Sequence, residues 1–167
     1  IGAPGKQLGT GEPGGIVVGG RQQATAYLLA DGTIQPLSQT PVDTGDLGYL
    51  DDDGYLHIVG RAKDLIIRGG INIAPLEIDS ALAELAQVAE ACTIGIPDPI
   101  YGEEVVSYVA CKPGAELNVD DVLQHCATRL PDFKCPKQVR FRDELPKTSR
   151  DKLDRARLRR LWQEETS

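Results

Sequence analysis

The feature of this chain that most constrains its fold is a change of hydrophobic pattern near residue 62. Before that point, short apolar runs such as residues 14–20 lie between glycines, and an Asp-Gly turn precedes the apolar run that ends at Arg61. Helical periodicity is absent there, so we predict an all-β, loop-rich part over residues 1–62. Residues 63–167 alternate between strand-like and helical patterns and predict a second, α+β domain.

The second part begins with a predicted β-hairpin. Residues 64–75 contain two short β-branched runs on either side of Gly69-Gly70, a pair that suits a two-residue turn. An amphipathic helix is predicted from Pro75, because proline is favoured in the first helical turn. The apolar residues of this helix recur at helical spacing and are Ile78, Leu82 and Leu85.

Further along, residues 88–98 and 103–112 predict two strands, since they alternate or run apolar around a turn signal. A second helix is predicted after Asn118, a good N-cap, and a strand over residues 137–143 follows it. A last helix is predicted through three apolar residues, Leu153, Ala156 and Leu161. The order ββαββαβα predicts a small α+β domain, in which a three-stranded sheet plus a hairpin is flanked by about three helices.

The charge of the chain is unevenly distributed. Its net charge is −7, yet residues 134–160 contain eleven Lys/Arg and four Asp/Glu. A basic segment on an acidic chain favours a small anionic ligand over nucleic acid. Binding of nucleic acid would favour a broad basic face with interleaved aromatic residues. Only Phe133 and Trp162 flank this segment, and a solvated basic face without a ligand is the alternative.

The composition excludes several other classes of protein. No apolar run approaches the roughly 20 residues that cross a bilayer, so no membrane span is expected. Two histidines and four widely spaced cysteines, without a C-x-x-C pair, predict no metal site and thiols in a reducing compartment. The chain lacks an initial Met and opens in a Gly/Pro-rich stretch, which suggests a part of a larger protein.

Several short motifs carry candidate chemistry, and each also has a purely structural interpretation. In TGDLG, at residues 44–48, Asp46 either caps the backbone of a turn or accepts hydrogen bonds from a ribose diol. Arg61 follows a strand at the predicted domain boundary, where it could also form an interface ion pair. Gly69 and Gly70 either form a hairpin turn alone or let the backbone approach a ligand closely.

The order of these motifs is more specific than any one of them. TGDLG, GRAKDLIIRGGINIAPLEID, FKCPKQVRF and DELPKTSRDKLDR, at these separations, resemble the C-terminal third of AMP-forming acyl-CoA synthetases. This adenylate-forming superfamily also includes luciferases and the adenylation domains of peptide synthetases. The resemblance covers essentially the whole chain and is closer to the acyl-CoA ligase branch, where GGINIAPLEI and CPKQVRF are typical.

The resemblance implies a fold and an activity. Residues 1–62 would be the last, barrel-like all-β part of a large domain, and residues 63–167 a small C-terminal lid. The enzyme would join a carboxylic acid to ATP, release pyrophosphate and, after the lid has turned about a hinge, let CoA displace AMP. A cytoplasmic enzyme is expected, with Mg²⁺ ligands, phosphate loop and acyl pocket in a missing N-terminal large domain. A domain that loads a carrier protein, and a non-catalytic lid acting in trans, are the alternatives.

The resemblance also assigns roles in adenylation. Asp46 and Arg61 match the residues that bind the ribose of the nucleotide, and Lys63 matches the hinge position. Lys152 matches the lysine that reaches the substrate carboxylate and the α-phosphate. The family usually has glycine before this lysine, whereas this chain has Asp151, a carboxylate expected to compete with substrate for the charge of Lys152.

Six further residues match positions that meet CoA in the family. The two glycines line the pantetheine tunnel, the two aromatic residues flank the adenine, and the two lysines meet the phosphates. These residues are Gly69, Gly70, Tyr101, Phe133, Lys134 and Lys137. Lys147 and Arg150, close to Lys152, are expected to stabilise their loop or to remain solvated.

Overall fold

The computed structural model describes residues 7–21, 23–37 and 41–166, so the first six residues of the predicted all-β part lie outside the described residues. The chain divides into two compact units, Ile1–Lys63 and Asp64–Ser167, one residue later than the predicted division. The first unit is built from strands, and the second combines strands with helices, which confirms the predicted α+β class.

The first unit contains β1 (Gly14–Val18), β2 (Ala26–Leu28), β3 (Ile34–Pro36), β4 (Val42–Leu50) and β5 (Leu56–Arg61). β1, β4 and β5 form an antiparallel sheet in that order, and β2 pairs with β3 in a separate hairpin. The Asp-Gly turn joins β4 to β5, and its Asp51 carboxylate accepts hydrogen bonds from the backbone N–H groups of Asp53 and Tyr55. The resulting register places Asp46 opposite Arg61.

The second unit contains β6 (Ile66–Arg68), β7 (Ile71–Ile73), α1 (Pro75–Ala83), β8 (Val88–Asp98), β9 (Gly102–Cys111), α2 (Val119–Arg129), β10 (Gln138–Phe141) and α3 (Arg155–Thr166). This is the predicted order of elements. α1 begins at Pro75, and Asn118 caps α2 by accepting a hydrogen bond from the Asp121 N–H at 2.9 Å. These local signals therefore determined where both helices start.

The last helix begins later than predicted. Asp154 caps α3, because its carboxylate accepts a hydrogen bond from the Arg157 N–H at 2.9 Å and its carbonyl accepts one from the Leu158 N–H. Leu153, which we predicted to be helical, instead pairs with Lys147 in an isolated antiparallel bridge. Leu153 packs against the same apolar cluster as α3, so its hydrophobic character alone does not distinguish the loop from the helix.

β9 is the central strand of the second unit. β8 pairs with it antiparallel along one edge, from Val88↔Cys111 to Asp98↔Gly102. The opposite edge pairs with β10, in parallel, and at its start with the β6–β7 hairpin through Arg68↔Gly102. The sheet thus brings the predicted glycine turn to one end of β8 and β9.

Helices cover both faces of this sheet. α1 and α2 pack on one face, where the buried residues include Ile78, Leu82, Val105, Val109 and Val122. α3 packs on the other face, where they include Ile94, Val106, Tyr108, Leu158 and Trp162. Because β9 is buried on both faces, its side chains alternate between the two clusters. The loop that precedes α3 is attached to this core, since Leu153 packs against the same cluster as α3.

Candidate functional site

The first candidate pair lies in the β4–β5 sheet. The Arg61 Nε donates a hydrogen bond to the Asp46 Oδ1 at 2.6 Å, across neighbouring strands. The backbone of this turn is held instead by Asp43, which accepts from the Gly45 N–H, and by Thr44, which accepts from the Asp46 N–H. Asp46 is thus placed for a charge pair rather than for capping, and the structure brings the two predicted ribose residues together.

Lys63, the predicted hinge residue, lies in a single 3-10 turn formed by Ala62–Asp64. It is exposed, and the division between the two compact units falls directly after it. Within the described residues its ammonium group makes no hydrogen bond or ion pair. A substitution at this position therefore acts on the backbone of the turn and not on a side-chain contact.

Gly69 and Gly70 form the tight turn between β6 and β7. Their φ values are +56° and +82°, as a two-residue hairpin turn with both central residues in the left-handed region requires. The Gly69 N–H donates a hydrogen bond to the Tyr101 carbonyl at 2.8 Å. The Arg68 guanidinium lies over the Tyr101 ring, 4.4 Å from its centroid. The structure therefore joins the glycine turn and Tyr101, two predicted CoA contacts, in one cluster.

This cluster, which we call the glycine-turn cluster (Arg68, Gly69, Gly70 and Tyr101), is held by three carboxylates. Asp98 accepts hydrogen bonds from the N–H groups of Tyr101 and Ile100, and these bonds lower the pKa of Asp98. Glu104, which is buried, binds the Arg68 Nε at 2.6 Å, and Glu103 accepts a hydrogen bond from the Ile67 N–H at 2.6 Å. Sequence reasoning missed Arg68 and these acidic partners, because their pairing depends on the contact between β6 and β9.

The predicted phosphate lysines differ in their surroundings. The Lys134 ammonium donates to both carboxylate oxygens of Glu77 at 2.7 Å, and it lies 5.8 Å from the centroid of the Phe133 ring. Lys137 is exposed and, within the described residues, its ammonium group makes no hydrogen bond or ion pair. The Lys137 N–H donates to the Val105 carbonyl at 2.8 Å, which fixes its backbone beside β9. Only Lys137 of the two is available to an anion without displacing a carboxylate.

Lys152 lies in a tight loop, residues 146–154, that we call the lysine loop. The Thr148 N–H donates to the Lys152 carbonyl at 2.7 Å, and the Asp154 N–H donates to the Pro146 carbonyl at 2.8 Å, so the backbone closes on itself. The Lys152 side chain is exposed and, among the described residues, has no hydrogen-bond or ion-pair partner. Because its backbone is fixed and its ammonium group is unpaired, the Lys152 side chain is available to bind an anionic substrate.

The lysine loop is fastened to β8 by two cations. The Lys147 ammonium binds Glu90 at 2.8 Å, so Lys147 contacts β8 and is not only solvated. Arg155, at the start of α3, donates from Nε to the Thr93 carbonyl at 3.2 Å and also binds the Asp79 carboxylate of α1.

Asp79 is the most perturbed carboxylate of this region. Burial raises the pKa of Asp79 to about 6, against the opposing effects of Arg155 and of the hydrogen bond from the Thr93 N–H. Neither Asp79 nor Arg155 was predicted to be a site residue. The signal in the sequence was a carboxylate next to Ile78 on the apolar face of a helix, where an acidic residue needs a partner.

The lysine loop and the glycine-turn cluster lie at opposite ends of β8. Glu90 binds the lysine loop, and Asp98 caps the turn that carries Tyr101. These residues are eight positions apart on one strand, which corresponds to about 26 Å at roughly 3.3 Å per residue. A single ligand site smaller than this span cannot meet both clusters at once.

Two other kinds of site are absent from the described part of the chain. Over residues 7–21, 23–37 and 41–166, no group of three or more His, Cys, Asp or Glu side chains could hold a metal ion. In the same residues, no helix is long and apolar enough to cross a membrane. All four cysteines, Cys92, Cys111, Cys126 and Cys135, are free thiols.

Comparison with known proteins gives consistent matches. Residues 77–152 match the family of the AMP-binding enzyme C-terminal domain. The chain is 43% identical, over 95% of its length, to a sulfoacetate–CoA ligase of Cupriavidus necator. It covers 31% of that protein, so it spans about a third of the length of this relative.

Solved structures match over nearly the whole chain. ATP-bound MatB from Rhodopseudomonas palustris has a TM-score of 0.81 and 34% identity, over 98% of this chain and 33% of that one. The o-succinylbenzoate CoA synthetase of Bacillus subtilis, in complex with its acyl-adenylate intermediate, has a TM-score of 0.77 and 31% identity. The match covers 95% of this chain and 32% of that one. In both cases the chain corresponds to about a third of the larger protein.

Proposed function

Since residues 77–152 match the AMP-binding enzyme C-terminal domain family, we propose that the chain is the C-terminal part of an AMP-forming, ATP-dependent carboxylic acid:CoA ligase. In the first step, a carboxylate oxygen of the acid attacks the α-phosphate of ATP, and pyrophosphate leaves. In the second step, the CoA thiol attacks the acyl carbon of the acyl-adenylate, and AMP leaves. Because the chain spans about a third of the length of the sulfoacetate–CoA ligase that it matches, it is not expected to be active alone.

The observation that carries this proposal is the separation of two candidate sites within one compact unit. The lysine loop and the glycine-turn cluster lie about 26 Å apart along β8, at roughly 3.3 Å per residue. An enzyme with one reacting centre can use both only in turn, by rotating the unit between two orientations. Two sequential reactions at one centre, with Lys63 as the hinge, fit this arrangement.

The lysine loop is the part proposed to act in adenylation. Phosphoryl transfer depends mainly on positioning and on stabilising the charge that develops on the phosphate oxygens. The unpaired Lys152 ammonium supplies such a charge from a backbone that is closed by hydrogen bonds. Asp46 and Arg61, paired across β4 and β5, are proposed to hold the ribose of the nucleotide.

The glycine-turn cluster is the part proposed to act in thioester formation. A turn without side chains at Gly69 and Gly70 lets a narrow pantetheine arm lie against the backbone. Tyr101 and Phe133 offer exposed or half-buried rings for the adenine of CoA, and Lys137 offers a charge for its phosphates. Lys134 would first have to leave Glu77.

Two further expectations concern the setting of the enzyme. The free cysteines fit a reducing compartment, and we place the protein in the cytoplasm. Mg²⁺ is expected to accompany ATP, but the described residues offer no cluster that could hold it, so no step here depends on it.

The test is a screen of carboxylic acids with the intact protein that contains this chain. Each acid is supplied with ATP, and pyrophosphate release is measured with and without free CoA. A thioester product that needs free CoA supports the proposal. Pyrophosphate release without any transfer of the acyl group to CoA contradicts the proposed CoA ligase function. The absence of pyrophosphate release with every acid favours a non-catalytic lid.

A domain that loads a carrier protein is a second candidate, and one observation favours it. Lys134 is already paired with Glu77, so its charge is partly neutralised before the phosphates of free CoA could bind. A phosphopantetheine arm on a carrier protein lacks the adenosine phosphates of CoA. Transfer from the acyl-adenylate to a phosphopantetheinylated carrier protein, but not to free CoA, identifies this alternative.

A further inference from the structure

The two anchors of the lysine loop differ in burial. The Lys147 and Glu90 side chains are 38% and 32% exposed, whereas those of Arg155 and Asp79 are 19% and 10% exposed. Water competes effectively with an exposed ion pair, so such pairs contribute little. Losing one member of a buried pair leaves an uncompensated charge in the core, which is far more disruptive. Arg155 is therefore the stronger of the two anchors.

The Arg155 guanidinium joins elements that are distant in sequence. It binds the Asp79 carboxylate on α1 and the Thr93 carbonyl on β8. Asp79 also accepts a hydrogen bond from the Thr93 N–H at 2.6 Å, and the Thr93 hydroxyl lies 2.7 Å from that of Ser107 on β9. The start of α3 is thus tied to α1, β8 and β9 by one continuous, partly buried network.

This network ends three residues after Lys152. Leu153 is paired with Lys147 in a backbone bridge, and the Asp154 N–H is bonded to the Pro146 carbonyl. Leu153 and Asp154 therefore leave little freedom between Lys152 and Arg155. A shift of the Arg155 guanidinium is passed on to the backbone that carries Lys152.

We propose that Arg155, clamped by Asp79 and the Thr93 carbonyl, is a positioning residue that sets where Lys152 meets the substrate during adenylation. This inference rests on the proposed two-step ligase function. The planar guanidinium reaches two acceptors at once, whereas the single ammonium of a lysine cannot reproduce that fork. Misplacement of a reacting group by about 1 Å can reduce a rate about a hundredfold.

The experiment measures both half-reactions of the intact enzyme carrying Arg155→Lys. We expect adenylation, followed by pyrophosphate release, to slow by about 10- to 100-fold because Lys152 is displaced. Thioester formation from supplied acyl-adenylate and CoA should stay near the wild-type rate. The decisive quantity is the ratio of the two rates, which does not depend on how much of the protein is folded.

Two further variants complete the test. Arg157→Lys lies on the same helix, where Arg157 binds Glu164 in an exposed pair, and should leave the ratio unchanged. Asp79→Glu keeps the charge but moves the carboxylate, and should lower the ratio in the same direction as Arg155→Lys. If Arg155→Lys folds poorly, Asp79→Glu still tests the positioning role.

The outcomes separate this inference from the proposed function. A ratio that stays at the wild-type value in both Arg155→Lys and Asp79→Glu overturns the positioning role and shows a purely structural ion pair. A wild-type enzyme that releases no pyrophosphate with any acid overturns the proposed function first. A lowered ratio in both variants, with Arg157→Lys unchanged, supports the positioning role.

Discussion

The Asp151 carboxylate lies 3.7 Å from the ammonium group of Lys147, although Lys152 is its neighbour in the chain. The hydrogen bond that Lys147 donates to Glu90 and the charge of Asp151 together raise the pKa of Lys147. In the part of the chain that the structure describes, Asp151 makes no ion pair with Lys152. The Asp151 carboxylate therefore contacts a cation across the loop and not the neighbouring Lys152.

The backbone at Asp151 explains why glycine is usual at this position, since φ is +59°. Asp151→Gly should change the free energy of unfolding by no more than about 1 kcal/mol, because it removes an exposed pair and a mild backbone strain together. Adenylation should change by less than about fivefold, the rate equivalent of about 1 kcal/mol. Denaturant unfolding and pyrophosphate release measure the two effects.

A matched variant separates charge from backbone. Asp151→Ala removes the same carboxylate but keeps a Cβ atom at positive φ, and should destabilise the unit by about 1 kcal/mol. An increase of adenylation by more than tenfold in both variants would mean that Asp151 does compete with the substrate.

Lys152→Ala should affect the two half-reactions unequally. Adenylation should fall by about 10²–10³-fold, by analogy with the loss of one donor to a developing charge. Thioester formation from supplied acyl-adenylate should be spared. Arg150→Ala is the control, because Arg150 is exposed in the same loop and has no partner among the described residues. Equal loss of both steps would contradict the role of Lys152.

Gly70→Ala tests the glycine-turn cluster. Gly70 has φ +82°, with no atom within 4 Å of a Cβ added there, so the substitution introduces backbone strain of about 1 kcal/mol without a clash. Thioester formation should slow more than adenylation. Gly54→Ala in the β4–β5 turn, at φ +83° and with the same open space, controls for strain alone. Identical kinetics of the two variants would mean that Gly70 only forms the turn and does not contact CoA.

Lys63→Pro tests the proposed hinge. Proline fixes φ and restricts the residue before it, so rotation at this turn should be hindered. The second step should slow more than the first, measured as thioester formation against pyrophosphate release in the intact enzyme. Lys63→Ala removes the ammonium but keeps backbone freedom, and should leave both rates unchanged. Unimpaired CoA transfer in Lys63→Pro would place the hinge elsewhere.

The pH dependence of stability tests the environment of Asp79. Its pKa is raised from 3.8 to about 6, so the folded state binds this proton more tightly than the unfolded state. The contribution of Asp79 to stability should therefore fall as pH rises from about 4 to about 6, by about 3 kcal/mol, and stay constant above that. Trp162 is the only tryptophan and is buried in the second unit, so its fluorescence reports unfolding there.

The comparison protein for this measurement is Asp79→Asn. The difference in unfolding free energy between wild type and variant isolates Asp79, because the other titrating groups that interact with it, Arg155 and Cys92, are shared. The difference should become less favourable to wild type between pH 4 and pH 6. A difference that grows with pH would mean that Arg155 outweighs burial and depresses the pKa of Asp79.

Much of the fold was predictable from the chain because its signals are local. Pro75 and Asn118 mark the starts of α1 and α2, and Gly69-Gly70 marks the β6–β7 turn, each through the φ angle or hydrogen bond that it supplies. The start of α3 was not predictable from apolar spacing. Leu153 packs against the core from the loop and is not part of the helix, so its apolar character gave a misleading signal. The loop signal was the run of charged residues before Asp154.

By itself, the sequence determined the order of the elements, the family and which residue types are available at the candidate site. Only the tertiary structure decided their partners: Glu77 engages Lys134 across 57 residues, and Asp79 engages Arg155 across 76. It also placed the lysine loop and the glycine-turn cluster at opposite ends of β8. The physical reason is that periodicity and caps report the local backbone, whereas ion pairs depend on the tertiary packing that brings distant segments together.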